Sequence, residues 1–154
     1  MAIAEPGRLN GIPVGEWVLA TSARMKQAAS ADRTDWTRCW YETYRELGGR
    51  SKASGNKACP RAAAYGLWFL GRISQGGRPR LNWPVSRVVE ELGRNAAYAV
   101  IAAELYLEEP GRSLQETWQA VRLEFRRQTG EEAARSEQGE VRVTLALSAD
   151  GCLS

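Results

Sequence analysis

The chain has 154 residues, 44% hydrophobic and 25% charged, a length and balance that suit one globular domain or two small packed units. A chain of this size buries roughly 68–70% of the surface its unfolded form exposes, so it needs no disulfide or metal to hold a core, and collagen-like, mucin-like and membrane-spanning classes are excluded. The net charge is +3, and histidine is absent, which removes His-based zinc sites, Ser-His and Cys-His catalytic pairs and the usual neutral-pH proton shuttle.

The first dozen residues, with Pro6, Gly7, Gly11 and Pro13, read as an irregular arm (1–13). Trp17, Val18, Thr21 and Met25 then mark a modest amphipathic helix. Over residues 32–48, Asp32 or Thr34 can cap a helix whose Trp36, Cys39, Trp40, Tyr44 and Leu47 fall at helical spacing before a Gly48-Gly49 stop. Arg50 to Ala58 is small, polar and basic and reads as a loop. Pro60 suits a first helical position, and Ala62 to Leu70 continue as a helix apolar nearly all round. Gly71 suits its left-handed end, with Ile73 placed to pack back on the last turn.

After the basic turn SQGGRPRLN, a stripe at steps of three and four runs from Val85 to Leu107, with Gly93 dividing it into two helices and Pro110-Gly111 ending it. Another helix starts near Ser113, with Leu114, Trp118, Val121 and Phe125 on one face. The segment EVRVTLALS alternates with period two, which alone argues for a strand. Against this, Trp40 to Leu67 and Trp118 to Leu145 are both 27 residues apart, and Gly71-Arg72-Ile73 parallels Gly151-Cys152-Leu153. Read as a weak internal duplication, with Trp17 and Tyr98 marking the preceding helices, this pattern makes 137–149 a helix. The expectation is an all-α fold of six or seven helices, in two similar three-helix halves (14–80 and 81–154) packed as one compact domain.

Cys39, Cys59 and Cys152 form no CxxC pair, so neither a disulfide framework nor a metal knuckle is expected. Sparse thiols, with no recognisable signal peptide or spanning segment, fit a cytoplasmic protein with no membrane contact.

Charge is unevenly placed. Residues 1–48 carry six basic and six acidic side chains, and residues 88–154 seven and twelve. Residues 49–87 carry eight basic side chains and no acidic one. Such a block either meets an anionic partner or is neutralised by the chain's own acidic part.

Lys57-Ala58-Cys59-Pro60-Arg61, then Ala63, Gly66-Leu67, Gly71 and Ile73, following the Trp40 helix, resemble a family of small bacterial proteins known only as a domain of unknown function. Asn95 to Leu105, the Trp118 helix and Val141 to Leu153 are similar to that family's second helical half, so the resemblance covers about residues 14–154. Ala58 stands where the family tends to have Gly, and Ala62 where it tends to have Asn. The resemblance implies a helical fold and no activity.

Arg50, Lys52 and Lys57, with Ser54, Gly55 and Asn56, lead into a helix start at Arg61 and combine cations, hydroxyls and backbone N–H groups as an anion site would. The GxxxxGK[ST] spacing of a P-loop is missing, so nucleotide hydrolysis is not implied. Arg72, Arg78 and Arg80, followed by Trp83, form a flexible basic turn able to meet phosphates or stack on bases. Each element has a plainer reading, as a solvated loop and an inter-half linker. Trp36, Trp40, Trp68 and Trp118 are assigned to the core, whereas Trp17 and Trp83 lie near segment starts and are candidates for exposure. Glu90-Glu91, Glu108-Glu109 and Glu131-Glu132 are sequence neighbours that point apart on a helix, as solvated faces do. Trp40 to Leu70 has too long a loop for a helix-turn-helix.

The function expected is therefore a non-enzymatic helical binding module, with no catalytic residue, cofactor or metal. Its basic segment would contact nucleic acid or a nucleoprotein complex. Two alternatives stand beside it: a small protein-binding inhibitor or adaptor, such as a mobile-element accessory factor acting on a host defence complex, and an enzyme that uses Cys59 at a helix start as a low-pKa thiol.

Overall fold

The computed structural model describes residues 7–154. Among them are a two-stranded hairpin, β1 (Arg8–Leu9) and β2 (Ile12–Pro13), and eight helices: α1 (Val14–Met25), α2 (Arg33–Glu46), the single turn α3 (Lys52–Gly55), α4 (Ala58–Phe69), α5 (Val85–Leu92), α6 (Arg94–Glu108), α7 (Leu114–Thr129) and α8 (Glu140–Ala149). The chain is all-α apart from the hairpin.

The hairpin corrects the expected irregular arm; the first six residues of that arm lie outside the described ones. Asn10 and Gly11 both have positive φ (54° and 77°), the backbone of a tight two-residue turn, and Leu9 pairs with Ile12. In α2 the cap is Asp32, whose carboxylate accepts from the Asp35 N–H. The expected loop at 50–58 contains α3, capped by Ser51 accepting from Ser54 N–H, and the Tyr44 hydroxyl holds it down by accepting from Ser51 N–H. Helix α4 begins at Ala58, so Pro60 is its third residue rather than its first. The missing N–H is harmless there too, because the first N–H groups of a helix have no intrahelical acceptor.

Gly93, with φ 97°, separates α5 from α6, and Ser113 with Glu116 forms a reciprocal capping box on α7. The period-two segment is helical, as α8: Val141, Val143, Thr144, Ala146 and Leu147 are all buried, so the alternation came from a helix enclosed on most sides.

Helices α4 and α8 close identically. Gly71 N–H donates to Trp68 and Arg72 N–H to Leu67 at the end of α4; Gly151 N–H donates to Ser148 and Cys152 N–H to Leu147 at the end of α8. The two emerging chains then pair antiparallel at Ile73 and Leu153, with Ser74 N–H on Cys152 O and Ser154 N–H on Arg72 O, each 2.8 Å. The shared pattern of the two halves is thus a contact between them.

One core serves the whole molecule. Helix α4 packs mainly on α6 and also on α8, α6 packs on α7 and α8, and α1 packs on α2 and α8. Trp17, a candidate for exposure, is fully buried: it stacks on Trp40 at 4.1 Å between ring centres, and its indole N–H donates to the Trp40 carbonyl. The α4–α6 crossing is tight because it is built on small residues. A Cβ on Gly66 would stand 2.4 Å from the Ala96 Cβ and 3.0 Å from its Cα, inside any tolerable contact.

Gly66→Ala is therefore expected to destabilise by about 1–3 kcal/mol despite the better helix propensity of alanine. Ala96→Gly in the same chain should recover part of the loss, as measured by chemical denaturation; strict additivity of the two changes would show that the helices do not meet there.

Candidate nucleic-acid interface

Tyr65, Trp68 and Phe69 project from the last turns of α4 at i, i+3 and i+4, so their rings form one row. Trp36 of α2 backs this row, 5.9 Å from Tyr65 and 5.3 Å from Trp68 between ring centres, and its N–H donates to the Arg61 carbonyl. Beyond α4 the chain doubles back. Gly71 takes a φ of 74° because any side chain there would collide with Pro79 O at 2.3 Å, and Leu81 N–H donates to Leu70 O.

That return lays a set of cations on the rings. The Arg78 guanidinium lies 5.0 Å from the Trp68 ring centre and 4.7 Å from that of Phe69. Trp83 packs on Phe69 at 5.6 Å, and Arg87 of α5 lies 4.0 Å over Trp83. At the other end of the row, Arg33 of α2 lies 5.6 Å from the Tyr65 ring centre. Each such contact is worth about 0.5–1 kcal/mol at an exposed site, and each holds a guanidinium beside a ring. Arg80 is exposed beside them.

The candidate residues divide into three groups. Arg50, Lys52 and Lys57 are exposed on the connection from α2 to α4, and Arg61 is half-buried with its guanidinium on the Asn56 carbonyl. They stand at the N-terminal end of α4. Arg78, Arg80 and Trp83 stand at its C-terminal end, about 17 Å further along the axis at 1.5 Å per residue, so the two basic elements are separate surfaces. Arg72 belongs to neither. It is 2% exposed, donating through Nε to the Ser154 carbonyl and through Nη1 to Glu104, and it clasps the inter-half contact instead of facing a partner.

Arg33 escaped the sequence reading, and Arg87 was counted only as charge. The available signal was helical spacing, since Arg87 lies four residues after Trp83 and Arg33 three before Trp36.

Of the eight cations at 49–87, Arg72 pairs with Glu104 and Arg87 with Glu91. Among the described residues the other six, Arg50, Lys52, Lys57, Arg61, Arg78 and Arg80, make no ion pair within 4.0 Å. Three carboxylates of the acidic later part pair locally, in Arg112–Glu109, Arg127–Glu124 and Arg126–Glu132. Burial pushes the Tyr65 phenol up, against the pull of Arg33 and Arg78, so it stays a neutral hydroxyl.

Cys59 is the second residue of α4, not its cap, and is half-buried. Burial pushes its thiol up, the nearby Glu140 carboxylate adds to this, and a hydrogen bond involving Asn95 and the charge of Lys57 oppose it. A thiol raised in this way is the reverse of an activated nucleophile. Glu140 itself is buried at the start of α8, where its carboxylate accepts from Gln138 N–H, while Glu137 accepts from the N–H groups of Val141 and Arg142. Burial raises the Glu140 pKa, and Glu137 contributes in the same direction.

Among the described residues no group of three His, Cys, Asp or Glu side chains is placed to hold a metal, and no helix is long and apolar enough to cross a membrane. A groove of about 360 Å³ runs between α5, α6 and α7, lined by Trp83, Val100 and Ile101 together with Glu104, Glu124 and Arg127. Comparison of the chain with protein-family models, with curated proteins and with solved structures finds no match.

Alkylation of Cys59 by iodoacetamide in a chain whose Cys39 and Cys152 are replaced by Ser or Ala is expected to be slower at pH 7 than that of a free thiol, with its rate still rising above pH 9. Rapid reaction at pH 6 would restore the enzyme alternative.

Because the raised pKa makes the folded protein hold the Glu140 proton more tightly than the unfolded chain, stability from this group is complete below the ordinary carboxylate value of 4.5 and is lost as pH rises. The Tm difference between Glu140→Gln and the parent should therefore shift in favour of the variant from pH 4 to pH 7. A difference independent of pH would place the ionisation elsewhere.

Proposed function

We propose that the protein is a non-enzymatic binding module whose basic, aromatic face at the C-terminal end of α4 contacts nucleic acid. The observation that carries this reading is that Arg78 and Arg80, beside the aromatic row, make no ion pair, in a stretch of the chain without an acidic residue. Cations held apart from the protein's own carboxylates keep their counterions in solution. Neutralisation of phosphates by such cations releases the counterions condensed on the strand, which is the main source of backbone affinity.

The aromatic row supplies the second requirement. Arg78 on Phe69 presents a guanidinium that can both pair with phosphate oxygens and stack on bases, a combination suited to unpaired strands as much as to duplex, while Arg87 over Trp83 is already paired with Glu91. No side-chain arrangement on this face resembles a base-reading helix in a groove, so the contact proposed is to the backbone and to base faces. The groove between α5, α6 and α7, where Val100, Ile101 and Leu105 lie beside Glu104, Glu108 and Arg127, favours a second reading, a protein-binding adaptor.

Fluorescence anisotropy of labelled single-stranded and duplex DNA and RNA across a salt series tests the first reading. Binding should weaken steeply with salt. Arg80→Glu and Arg78→Glu should each lower affinity and reduce the log–log slope by about 0.9 for every phosphate left unneutralised. Arg126→Glu, at a guanidinium that pairs with Glu132 outside this face, should leave the slope unchanged. Absence of binding at low salt, or equal slopes for all three variants, would overturn the nucleic-acid reading and leave the adaptor.

A further inference from the structure

The turn that carries Arg78 also encloses two donors with nothing to donate to. Trp68 is 4% exposed, and among the described residues its indole N–H has no acceptor; the same holds for the buried Nε–H of Arg78. The two side chains are neighbours, the guanidinium carbon 5.0 Å from the Trp68 ring centre. Buried donors are rarely left unpaired, so two of them on neighbouring side chains point to an acceptor that belongs there.

The surroundings say which kind. The indole edge faces the Gly76–Gly77 turn: a Cβ on Gly76 would stand 3.4 Å from Trp68 Cδ1, the carbon bonded to that N–H. Lys26 reaches the same turn, its Cε 3.9 Å from where a Cβ on Gly77 would lie. The nearby Ile73 carbonyl is taken by Gly76 N–H at 3.0 Å, and the Arg78 Nη2 bond to Phe69 O is long at 3.5 Å. Trp68, Arg78 and Lys26 thus all border this turn, and no acidic residue occurs between Gly49 and Arg87.

We infer that Trp68, Arg78, Lys26 and the Gly76–Gly77 turn form a site for a phosphate monoester, either the terminal phosphate of a strand or a free phosphorylated compound. An internal phosphodiester is flanked by sugars on both sides and stays at the surface. A monoester has one substituent, three free oxygens and a charge of about −1.5 to −2 at pH 7, so it can enter behind the turn and accept from buried donors. Gly77 adds no side chain to the outer side of the turn, while Gly76 packs against Trp68 and Ile73. The inference rests on the anionic-partner reading of this face and specifies the group that face anchors.

The test uses the ¹⁵N-labelled full chain, whose Trp68 indole signal is identified by its loss in Trp68→Phe. Titration with inorganic phosphate should move that signal saturably while the signals of Trp17 and Trp118 stay in place. Arg78→Lys, which keeps the charge and removes the Nε–H, should weaken the response about tenfold, as loss of a charge-assisted hydrogen bond does. In parallel, a 5′-phosphorylated or 3′-phosphorylated oligonucleotide should bind about tenfold or more tightly than its hydroxyl-ended counterpart.

A Trp68 signal that ignores phosphate, with all oligonucleotides bound alike, would overturn the monoester site and assign the two donors to buried water, while backbone binding by the face stands. A Trp68 response to phosphate with no oligonucleotide bound would uphold the site, make a free phosphorylated compound its ligand and overturn the nucleic-acid reading.

Discussion

Two backbones can approach as closely as α4 and α6 do only where neither presents a side chain larger than methyl, and Gly66 against Ala96 meets that condition. The rest of the architecture follows from it. Ala97, Ala99, Ala102 and Ala103 continue a buried small-residue surface on α6, which admits α8 on a neighbouring side. With its small face against α6, helix α4 turns its large side chains the other way, towards Trp36 and the returning 71–87 segment. The aromatic row is where it is because the opposite face of the same helix has no room for it.

The arginine that completes that row has two physical reasons to be there. Arg78 lies at the C-terminal end of α4, donates to the Phe69 carbonyl in the last turn and meets the negative end of the helix dipole, an interaction typically worth about 0.3–1 kcal/mol. It also covers the edges of Trp68 and Phe69 that the end of the helix leaves uncovered. Stability therefore holds the guanidinium in place before any partner arrives, and a preorganised cation loses less freedom on binding than a mobile one. Lys52 and Lys57, at the other end of α4, have no such fixture.

The helices were legible because their signals are local. Asp32, Ser113, Gly71 and Gly93 act within a few residues of themselves, and the apolar spacing around Trp36 and Trp118 was enough to orient α2 and α7. Asn10-Gly11 between Leu9 and Ile12 was an equally local signal for the hairpin, but the neighbouring Pro and Gly residues obscured it. The repeat of Gly71-Arg72-Ile73 in Gly151-Cys152-Leu153 outweighed the strand-like alternation of α8 because a matching end motif constrains more residues than a period of two. Side-chain partners across the fold were not legible. Arg72 and Arg78 stand six residues apart in one basic stretch; one is enclosed by Glu104 and Ser154, and the other rests on Trp68. Only the return of the chain over α4 decides which is which.

The pairing of Ile73 with Leu153 also has a consequence in time. Residues 152–154 are added about eighty residues after Arg72 and Ser74, so the backbone groups of those two wait without their strand partners until the second half has been made. Joining them closes a loop of nearly the whole second half, a non-local step whose chain entropy is repaid only after α6, α7 and α8 have assembled. The nascent chain thus carries its basic turn unclasped, and the clasp is among the last contacts that maturation makes.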